Sequence, residues 1–420
     1  MRSQLQLTAV LICFLMNMLD GMDVMIISYA ASSIAAEWSV NAVNLGGVFS
    51  AGLLGMAAGA MFLAARADKI GRKALVFISA AWMGICVLLT VAASSVEMLA
   101  CIRFLSGIGI GSMLASTSTL ASEYSEGRSK SFWVSLVMAG YPIGAVLSGL
   151  MAAYVIPVWG WRAVFAAASG LTLITLPVIY YLLPESLAFL LRTQPPHALA
   201  RANALLSRMK KPPLPQLPPQ EVVVVRTSVR QIFSAPRRVE TLLLWLVFFM
   251  SFATLYFLTS WIPKLASEAG LSVELSIYAG TVFNLGAFAG ILTQGYFSSK
   301  LGLEPVLAFF FFLTAFLMLV FGGISDSILI LVFLGLIGFG IQGGFVGLYS
   351  VAARLYPTEI RSTGIGWAIG IGRLGAMAGP LLGGLLVTMQ LSMAQHFYVF
   401  AAPALLAGVA VICISGTNPS

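Results

Sequence analysis

Two carboxylates, Asp20 and Asp23, interrupt the first apolar stretch of the sequence at a spacing of three residues. At this spacing both side chains lie on one face of a helix. Their neighbours at 11–16 and 24–27 are all apolar, and a charged carboxylate at the centre of a membrane-spanning helix costs about 2.5–3.5 kcal/mol. Two acids that are crowded together and removed from water are suited to taking up and releasing a proton. The alternative interpretation is a hydrogen-bonded pair that only holds Gly21 against a neighbouring helix.

Two arginines also lie inside apolar stretches. Arg103 begins the fourth stretch, and because a guanidinium keeps its charge it needs a carboxylate or an anionic substrate, unless it snorkels to the membrane surface. Arg373 follows Arg361 by about 18 Å along a helix, which is too deep for easy snorkelling. Asp20 lies at a similar depth. A cation near the membrane centre that faces acids at the same depth predicts a site for an anionic substrate and a proton. The alternative is a permanent salt bridge between the helices that carry Arg373 and Asp20.

A charged turn from Asp68 to Lys73 follows the second apolar stretch. A turn that only carries basic residues to the membrane surface needs no acid, so we interpret Asp68, Arg72 and Lys73 as parts of a latch. Glu123 and Arg128, which follow the fourth stretch, are candidate partners for Arg72 and Asp68. Glu123 is alternatively a solvated residue at a helix end.

Aromatic residues are concentrated in the seventh apolar stretch. They either line a cavity for an aromatic substrate or face lipid and the protein core, and we favour the second interpretation for most of them. These residues are Phe248, Phe249, Phe252, Tyr256, Phe257 and Trp261. The two histidines, His197 and His396, lie outside apolar interiors, so we expect both to be solvated.

The composition places these residues in an all-α membrane protein that crosses the bilayer many times. The chain has 420 residues, of which 59% are hydrophobic and only 9% charged, with a mean hydropathy of +0.96, whereas soluble globular proteins are about 25% charged. Many apolar stretches exceed the ~20 residues that a spanning helix needs. The short alternating pattern of an outer-membrane barrel is absent from the sequence.

The sequence predicts twelve spans in two groups. The predicted spans are 7–33, 43–65, 74–95, 98–122, 131–156, 162–183, 241–262, 275–298, 303–323, 328–353, 363–389 and 396–415. We therefore expect a bundle over 1–184, a central linker over 185–240 and a second bundle over 241–420. Two proline clusters favour an extended linker, in which 198–209 is a candidate amphipathic helix at the membrane surface.

The net charge of +8 does not indicate nucleic-acid binding. Nineteen of the 23 basic residues fall in segments on one predicted side of the membrane, which is the distribution that orients membrane proteins with that side in the cytoplasm. Both termini are then cytoplasmic. The four cysteines have no paired spacing, so no disulfide or metal site is indicated.

The two halves of the chain are internally similar. Residues 68–71 after span 2 match 299–302 after span 8, and the segment 124–129 after span 4 matches 356–362 after span 10. A glycine–proline pattern in span 5 returns in span 11. Such parallel repeats are typical of transporters that bind substrate between their halves, near the membrane centre, and alternate access by rocking one half against the other.

These motifs together resemble the major facilitator superfamily. The turn is similar to its Gly-x-x-x-Asp-Arg-x-Gly-Arg-Lys signature from Asp68 to Lys73, with departures at Ala64 and Arg66. More specifically, the chain resembles the aromatic acid/proton symporter family over nearly its whole length. The matching segments are Asp20 to Asp23, Arg103 to Gly111 with Glu123, Gly160 to Arg162, and Tyr356 through Arg373 to Pro380.

The resemblance implies the major facilitator fold, with two six-helix bundles related by a pseudo-two-fold axis. It also implies proton-driven import of a small aromatic carboxylate, such as a benzoate or a hydroxylated phenyl acid. Asp20 and Asp23 are then required, and Arg103, Glu123, Arg361 and Arg373 are important. The expected driving force is the proton gradient, without a cofactor, in a protein of the bacterial inner membrane that works as a monomer in lipid and binds no nucleic acid.

In the mechanism that we infer, Arg373 holds the substrate carboxylate, and protonation of Asp20 and Asp23 permits closure and reopening. Asp68, Arg72, Lys73, Arg128 and Arg361 form the cytoplasmic gate. The alternatives are a proton-coupled exporter of aromatic or drug-like compounds, an importer of a non-aromatic acid such as a muconate, and a membrane sensor. An enzyme is disfavoured because the sequence contains no nucleophile–base set, metal cluster or nucleotide-binding loop.

Overall fold

The computed structural model describes residues 4–63, 66–124, 133, 136–219, 238–324, 326–356 and 361–416. Within these ranges, twelve helices are long and apolar enough to cross a membrane. The protein is therefore an all-helical, multi-pass membrane protein, as its composition predicts. We number the membrane-spanning helices α1 to α12 in chain order.

The first six helices precede the linker and form the N-terminal half. They are α1 Gln4–Trp38, α2 Ala42–Ala58, α3 Arg72–Leu89, α4 Val96–Glu123, α5 Gly140–Trp159 and α6 Trp161–Ile174. Helix α2 continues as a π-helical segment over Gly59–Leu63, and a short helix, Ala67–Ile70, lies in the charged turn. Helix α6 continues as Leu176–Leu182.

The remaining six helices form the C-terminal half. They are α7 Arg238–Glu268, α8 Val273–Leu301, α9 Leu303–Val320, α10 Ser327–Leu355, α11 Arg361–Thr388 and α12 Met393–Gly416. The linker contains the helices Leu187–Thr193 and Ala198–Arg208. The second of these is the amphipathic helix that the sequence predicts. We call the side of the molecule that carries the linker the linker side, and the opposite side the far side.

The packing repeats between the halves. Helix α1 packs on α5, α2 on α4 and α3 on α6, and the same relation joins α7 to α11, α8 to α10 and α9 to α12. The halves meet through α2 with α11, α5 with α8, and α1 with α7. Helix α2 corresponds to α8, and α5 corresponds to α11, so the contact of α2 with α11 is equivalent to the contact of α8 with α5. The two bundles are therefore related by a pseudo-two-fold axis, as expected.

The turns that begin α3 and α9 show the repeat in the backbone. Gly71 has φ 98° and ψ 149°, and Gly302 has φ 94° and ψ 154°. A positive φ of this size is rarely adopted by a residue with a side chain. The two glycines therefore fix the same reversal of the chain at equivalent positions of the two halves.

Side-chain caps begin several helices on the far side. Ser95 accepts a hydrogen bond from the Met98 amide at 3.2 Å, and Asp326 accepts hydrogen bonds from the amides of Ile328 and Leu329 at 2.9 and 3.0 Å. These oxygens satisfy amides that have no partner within the first helical turn. Helices α4 and α10 therefore begin at equivalent, sharply defined positions.

Helix α7 is longer than the sequence predicts. We expected the span to end at residue 262, before Pro263, but the helix continues through the proline to Glu268. A proline removes one backbone donor and still permits helical φ, so the helix continues where neighbouring groups compensate for the lost hydrogen bond.

Candidate functional site

Asp23 and Arg103 form a buried ion pair between α1 and α4. The Arg103 Nη1 lies 2.9 Å from the Asp23 Oδ1, and Nη2 donates to the Asp23 backbone oxygen at 3.1 Å. Ser106 donates to the other carboxylate oxygen at 2.9 Å. Arg103 is only 3% exposed, so its charge is neutralised inside the protein by a carboxylate.

Asp20 lies one helical turn earlier on α1, and its environment differs from that of Asp23. It is 1% exposed, yet neither carboxylate oxygen accepts a hydrogen bond from any residue that the structure describes. The neighbouring Gly21 packs against the backbone of Tyr141 on α5, which holds this turn of α1 in the protein interior. An unpartnered buried carboxylate is costly when charged, which favours a proton on it or a cation nearby.

Arg373 on α11 is the candidate cation for the Asp20 carboxylate. It is within electrostatic range of Asp20, Tyr141, Tyr256 and Tyr349, and its guanidinium carbon lies 5.7 Å from the centre of the Phe252 ring. Its Nη1 is buried and has no hydrogen-bond partner within the described ranges. The structure therefore brings Asp20 and Arg373 from opposite halves into one region, each with unused hydrogen-bonding capacity.

The aromatic residues of α7 mostly pack in the core. Phe248, Phe252, Phe257 and Trp261 are at most 1% exposed, and Phe252 stacks on Tyr256 with ring centres 5.9 Å apart. Tyr256 differs from the others because it lines the cavity between the halves and its hydroxyl interacts with Arg373. The preferred interpretation of the sequence, a stripe that faces lipid or the protein core, therefore describes most of this set, and these four residues face the core.

A small cavity lies between the halves beside the Asp23–Arg103 pair. Its walls come from α1, α2, α4 and α7. Apolar side chains and hydroxyl-bearing residues both contribute. The apolar lining includes Val24, Phe49 and Leu53, and the hydroxyl-bearing lining includes Ser28, Thr259 and Ser260, whereas Asp20 and Arg373 are not among the lining residues.

Asn17 is a site residue that the sequence reasoning did not single out. Its amide donates to the Cys13 carbonyl at 3.1 Å and to the Thr117 hydroxyl at 3.3 Å, and it is 2% exposed. Asn17, Asp20 and Asp23 recur every three residues and form one polar stripe on α1. That spacing is the signal in the sequence that could have identified Asn17.

Two serines join the halves on the far side. Ser28 of α1 donates to the backbone oxygens of Thr259 and Ser260 on α7, at 2.9 and 2.7 Å. Ser50 of α2 donates to the backbone oxygen of Met377 on α11 at 2.8 Å. The rings of Phe49 and Trp261 also meet edge to face at 5.4 Å. The halves are therefore in close contact on the far side.

Charged groups gather on the linker side of the N-terminal half. Arg72 forms an ion pair with Glu123, with Nε and Oε1 3.3 Å apart, and Ser186 donates to the other Glu123 oxygen at 2.6 Å. The Glu185 carboxylate accepts hydrogen bonds from the amides of Arg72 and Lys73 at 2.9 and 3.1 Å. Glu123 is thus paired rather than simply solvated, and Glu185 caps the start of α3.

The other predicted gate residues are described only in part. Arg128 lies outside the described residues, and the side chains of Asp68 and Arg361 do as well. The Lys73 ammonium lies 5.8 Å from the centre of the Tyr180 ring. In the C-terminal half an ion pair with reversed charges, Arg354 with Glu304, joins α10 to α9 at 3.9 Å.

The expectation that both histidines are solvated was right for His197 and wrong for His396. His197 is exposed in the linker. His396 is fully buried, stacks with the Phe257 ring at 6.2 Å, and its Nδ1 lies 2.8 Å from the Ser392 backbone oxygen. Its position near a helix start suggested exposure, but packing against α7 covers the first turns of α12.

Comparison with known proteins agrees with this architecture. The family model described as Major Facilitator Superfamily matches residues 13–294 and 244–420. A crystal structure of a D-xylose-proton symporter superimposes with a TM-score of 0.76, covering 96% of this chain and 97% of the other at 15% identity. At that identity the likeness shows the shared fold alone.

Curated relatives match over almost the full length. A gallate transporter from Pseudomonas putida is 32% identical over 403 residues, covering 96% of this chain and 90% of the relative. The 4-hydroxybenzoate transporter PcaK from Pseudomonas aeruginosa is 33% identical over 420 residues, covering 98% and 92%. A 3-(3-hydroxy-phenyl)propionate transporter from Escherichia coli is 32% identical over 424 residues, covering 98% and 94%.

These relatives confirm the resemblance to aromatic acid transporters that the motifs around Asp20 and Arg373 indicate. The family model covers both halves of the chain, and the structural match covers 96% of it. The chain belongs to the major facilitator superfamily and is a transporter, not an enzyme.

Proposed function

We propose that this protein imports a small aromatic carboxylate together with protons, by alternating access between its two halves. The observation that carries the proposal is the pair of opposite charges between the halves, the buried Asp20 in one half and the part-buried Arg373 in the other, each with buried hydrogen-bonding atoms that have no partner among the described residues. An anion satisfies Arg373, and a proton satisfies Asp20. Substrate and proton therefore complete the same site.

The roles of the two acids differ in this proposal. Arg373 binds the substrate carboxylate, for which its planar guanidinium offers paired donors. Asp20 accepts the coupled proton because its carboxylate has no fixed partner. Asp23 stays paired with Arg103 and holds α1 against α4, so the pair shapes the cavity wall and transmits movement of α1. Glu123 supports this half through its ion pair with Arg72.

Two observations support an aromatic substrate. The relatives of this chain include transporters of gallate, 4-hydroxybenzoate and 3-(3-hydroxy-phenyl)propionate. The lining of the cavity between the halves combines apolar residues such as Phe49 and Leu53 with hydroxyl-bearing residues, a composition that suits a ring with polar substituents.

The charged residues of the linker side form the gate of this proposal. Arg72, Lys73 and Glu123 lie together there with Glu185, and we assign Asp68, Arg128 and Arg361 to the same gate from their sequence positions. The weak pair of Arg354 with Glu304 suggests that the C-terminal half contributes less. Release toward the linker side requires these contacts to rearrange while the far side stays closed.

We expect the protein to lie in the bacterial inner membrane with both termini in the cytoplasm. The strong excess of basic residues on the linker side supports this orientation. We also expect a functional monomer, because helices of one chain enclose the cavity. The proton gradient supplies the energy, and no cofactor is required.

Uptake into proteoliposomes tests the proposal. Labelled benzoate and 4-hydroxybenzoate are offered to vesicles that are acidic outside, and to vesicles without a pH gradient. We expect concentrative uptake only with the gradient, and its loss in Asp20→Asn. The matched control is Asp326→Asn, which makes the same chemical change at a helix cap and keeps a capping oxygen. Equal uptake with and without the gradient contradicts proton coupling.

A further inference from the structure

We infer that Asn17 is a positioning residue for the coupled proton, because its side-chain oxygen accepts the hydrogen bond of the protonated Asp20 carboxyl. This inference rests on the proposed function, in which Asp20 takes up the proton. It adds the group that holds the proton in the protein interior, on a residue that contributes no charge of its own.

The orientation of the Asn17 amide is fixed by the groups to which it donates. Its Nδ2 lies 3.1 Å from the Cys13 backbone oxygen and 3.3 Å from the Thr117 hydroxyl oxygen. A backbone oxygen can only accept a hydrogen bond, so the nitrogen end of the amide must face Cys13. The Thr117 hydroxyl uses its own hydrogen within α4, where it lies 3.0 Å from the Met113 backbone oxygen. Both amide hydrogens of Asn17 are therefore in use.

The Oδ1 of Asn17 is a buried acceptor without a donor. Asn17 is 2% exposed, and no described residue donates a hydrogen bond to this oxygen. Buried side-chain oxygens are usually hydrogen-bonded, because a missing bond is not replaced by water there. A contact that only ties α1 to α4 accounts for the nitrogen of this amide and leaves its oxygen unexplained.

Asp20 lacks a partner of the same kind. Asn17 and Asp20 are three residues apart on one face of α1, a spacing that places Cβ atoms about 5–6 Å from each other. Both carboxylate oxygens of Asp20 and the Oδ1 of Asn17 are without a donor in the described part of the chain. A proton on Asp20 turns one of these acceptors into a donor. One hydrogen bond then satisfies both side chains.

The other groups around Asp20 do not distinguish its protonated form in this way. Arg373 can only donate, and the Asp23 carboxylate already accepts from Arg103 and Ser106. A tyrosine hydroxyl both donates and accepts, so it serves the charged and the protonated carboxyl alike. The Asn17 oxygen serves the protonated form alone. The ionisable groups that face Asp20 are Asp23 on α1, Tyr141 on α5, Tyr256 on α7 and Arg373 on α11, with Arg103 of α4 engaged by Asp23.

Asn17 lies between Asp20 and the linker side. Helix α1 begins on that side, so a separation of three residues places Asn17 about 4.5 Å closer to it. Helix α5 packs tightly here, since a Cβ on Gly140 would lie 3.2 Å from the Asn17 Cβ and 2.6 Å from the Phe14 backbone oxygen. The hydrogen bond to Asn17 therefore holds the proton in a closely packed region on the side toward which it is released.

Exchange of labelled for unlabelled benzoate in proteoliposomes, at the same pH on both sides, tests this inference. Wild-type exchange should fall as the pH rises, with a midpoint that is absent in Asp20→Asn and therefore belongs to Asp20. In Asn17→Leu, which has no acceptor, the midpoint should lie roughly 0.4–1.1 pH units lower, the shift that corresponds to one ordinary net hydrogen bond. Asn17→Ala is the second variant and should shift the midpoint in the same direction if the leucine variant does not fold.

The matched control is Thr117→Val. It removes the α4 partner of the Asn17 nitrogen but leaves the Asn17 oxygen and the contact with Cys13, so it should keep the wild-type midpoint. The midpoint does not depend on the amount of folded protein. An equal shift in Thr117→Val would assign the effect to packing between α1 and α4 and overturn the inference. A rate that falls equally at every pH in Asn17→Leu, with an unchanged midpoint, would also overturn it.

Infrared difference spectra between acid and neutral pH separate this inference from the proposed function, because they need no substrate. A protonated-carboxyl C=O band that is lost in Asp20→Asn belongs to Asp20, and loss of its hydrogen bond in Asn17→Leu should move the band to higher frequency. A band that does not move overturns the role of Asn17 and leaves the proposed function standing. If the band moves but wild-type vesicles exchange no aromatic acid, the proposed function fails and the hydrogen bond stands.

Discussion

Arg103 contacts Asp23 twice, through the carboxylate at 2.9 Å and through the backbone oxygen at 3.1 Å. Asp20, on the same face of α1, receives no comparable contact from the described part of the chain. One carboxylate is therefore compensated by a fixed partner and the other is available for exchange. This difference gives opposite expectations for two substitutions of the same chemical type.

Asp23→Asn is expected to destabilise the fold. It leaves the Arg103 guanidinium buried without a counter-charge, and breaking a buried pair in this way typically costs 3–5 kcal/mol, so we expect roughly that loss here. Thermal unfolding in detergent measures it. Adding Arg103→Gln removes the unpaired charge and should recover part of the loss. An unchanged melting temperature in the single variant would show that the pair contributes nothing to stability.

Asp20→Asn is expected to leave stability unchanged or to raise it, because it removes an unpartnered buried charge. It should abolish concentrative uptake while retaining exchange of labelled for unlabelled substrate, a process that needs no net proton movement. Counterflow in proteoliposomes measures this exchange. Loss of both activities together with a lower melting temperature would instead assign Asp20 a structural role.

Arg373→Gln is expected to weaken binding of the substrate anion. Hydrogen bonds to charged groups are worth about 1.5–3 kcal/mol, which corresponds to roughly a 10- to 100-fold rise in Kd. Arg373→Lys keeps the charge but loses the planar pair of donors, so an intermediate loss is expected. Benzamide, a neutral analogue of benzoate, provides the contrast. Benzamide should bind more weakly than benzoate to the wild type. If Arg373→Gln weakens the binding of benzamide by the same factor as that of benzoate, Arg373 does not recognise the carboxylate.

Ser28→Ala and Ser50→Ala are expected to loosen the far side. Each removes a hydrogen bond between the halves, worth about 1 kcal/mol. A cysteine introduced at Leu53, in a chain without its four native cysteines, should then react about 5-fold faster with a membrane-impermeant thiol reagent added on the far side.

The matched control for these serines is Ser112→Ala. Ser112 is also buried, but it pairs with Ser79 inside the N-terminal half, at 2.6 Å. The same labelling rate in all three serine variants would remove Ser28 and Ser50 from the far-side contact. A rate that rises only in Ser28→Ala and Ser50→Ala would support their assignment to it.

Local patterns in the sequence were sufficient for the architecture. The matching turns at Gly71 and Gly302 indicated the repeat, and the structure gives them nearly identical backbone angles. The depths of Asp20 and Arg373 also follow from helical rise alone. These features depend on periodicity and position within one helix, which a sequence displays directly.

Contacts between distant segments could not be inferred in the same way. Asp20 and Asp23 share a helix face, so spacing could not decide which one pairs with Arg103. The hydrogen bonds of Ser28 to α7 depend on tertiary packing beside Pro263, and the burial of His396 depends on α12 packing against α7. Glu185 caps α3 from the end of another helix, where its sequence neighbours give no indication of a partner.

The opposite charges of Asp20 and Arg373 also bear on which component of the proton-motive force drives uptake. They cancel in the empty site, and they cancel again when one carboxylate anion and one proton occupy it. If one proton is carried with each substrate anion, neither the loaded nor the empty transporter moves net charge across the membrane. The membrane potential, which contributes about 2.3 kcal/mol per elementary charge per 100 mV, then does not drive uptake. A potassium diffusion potential set with valinomycin should therefore leave the uptake rate unchanged, and voltage-dependent uptake would indicate a second proton.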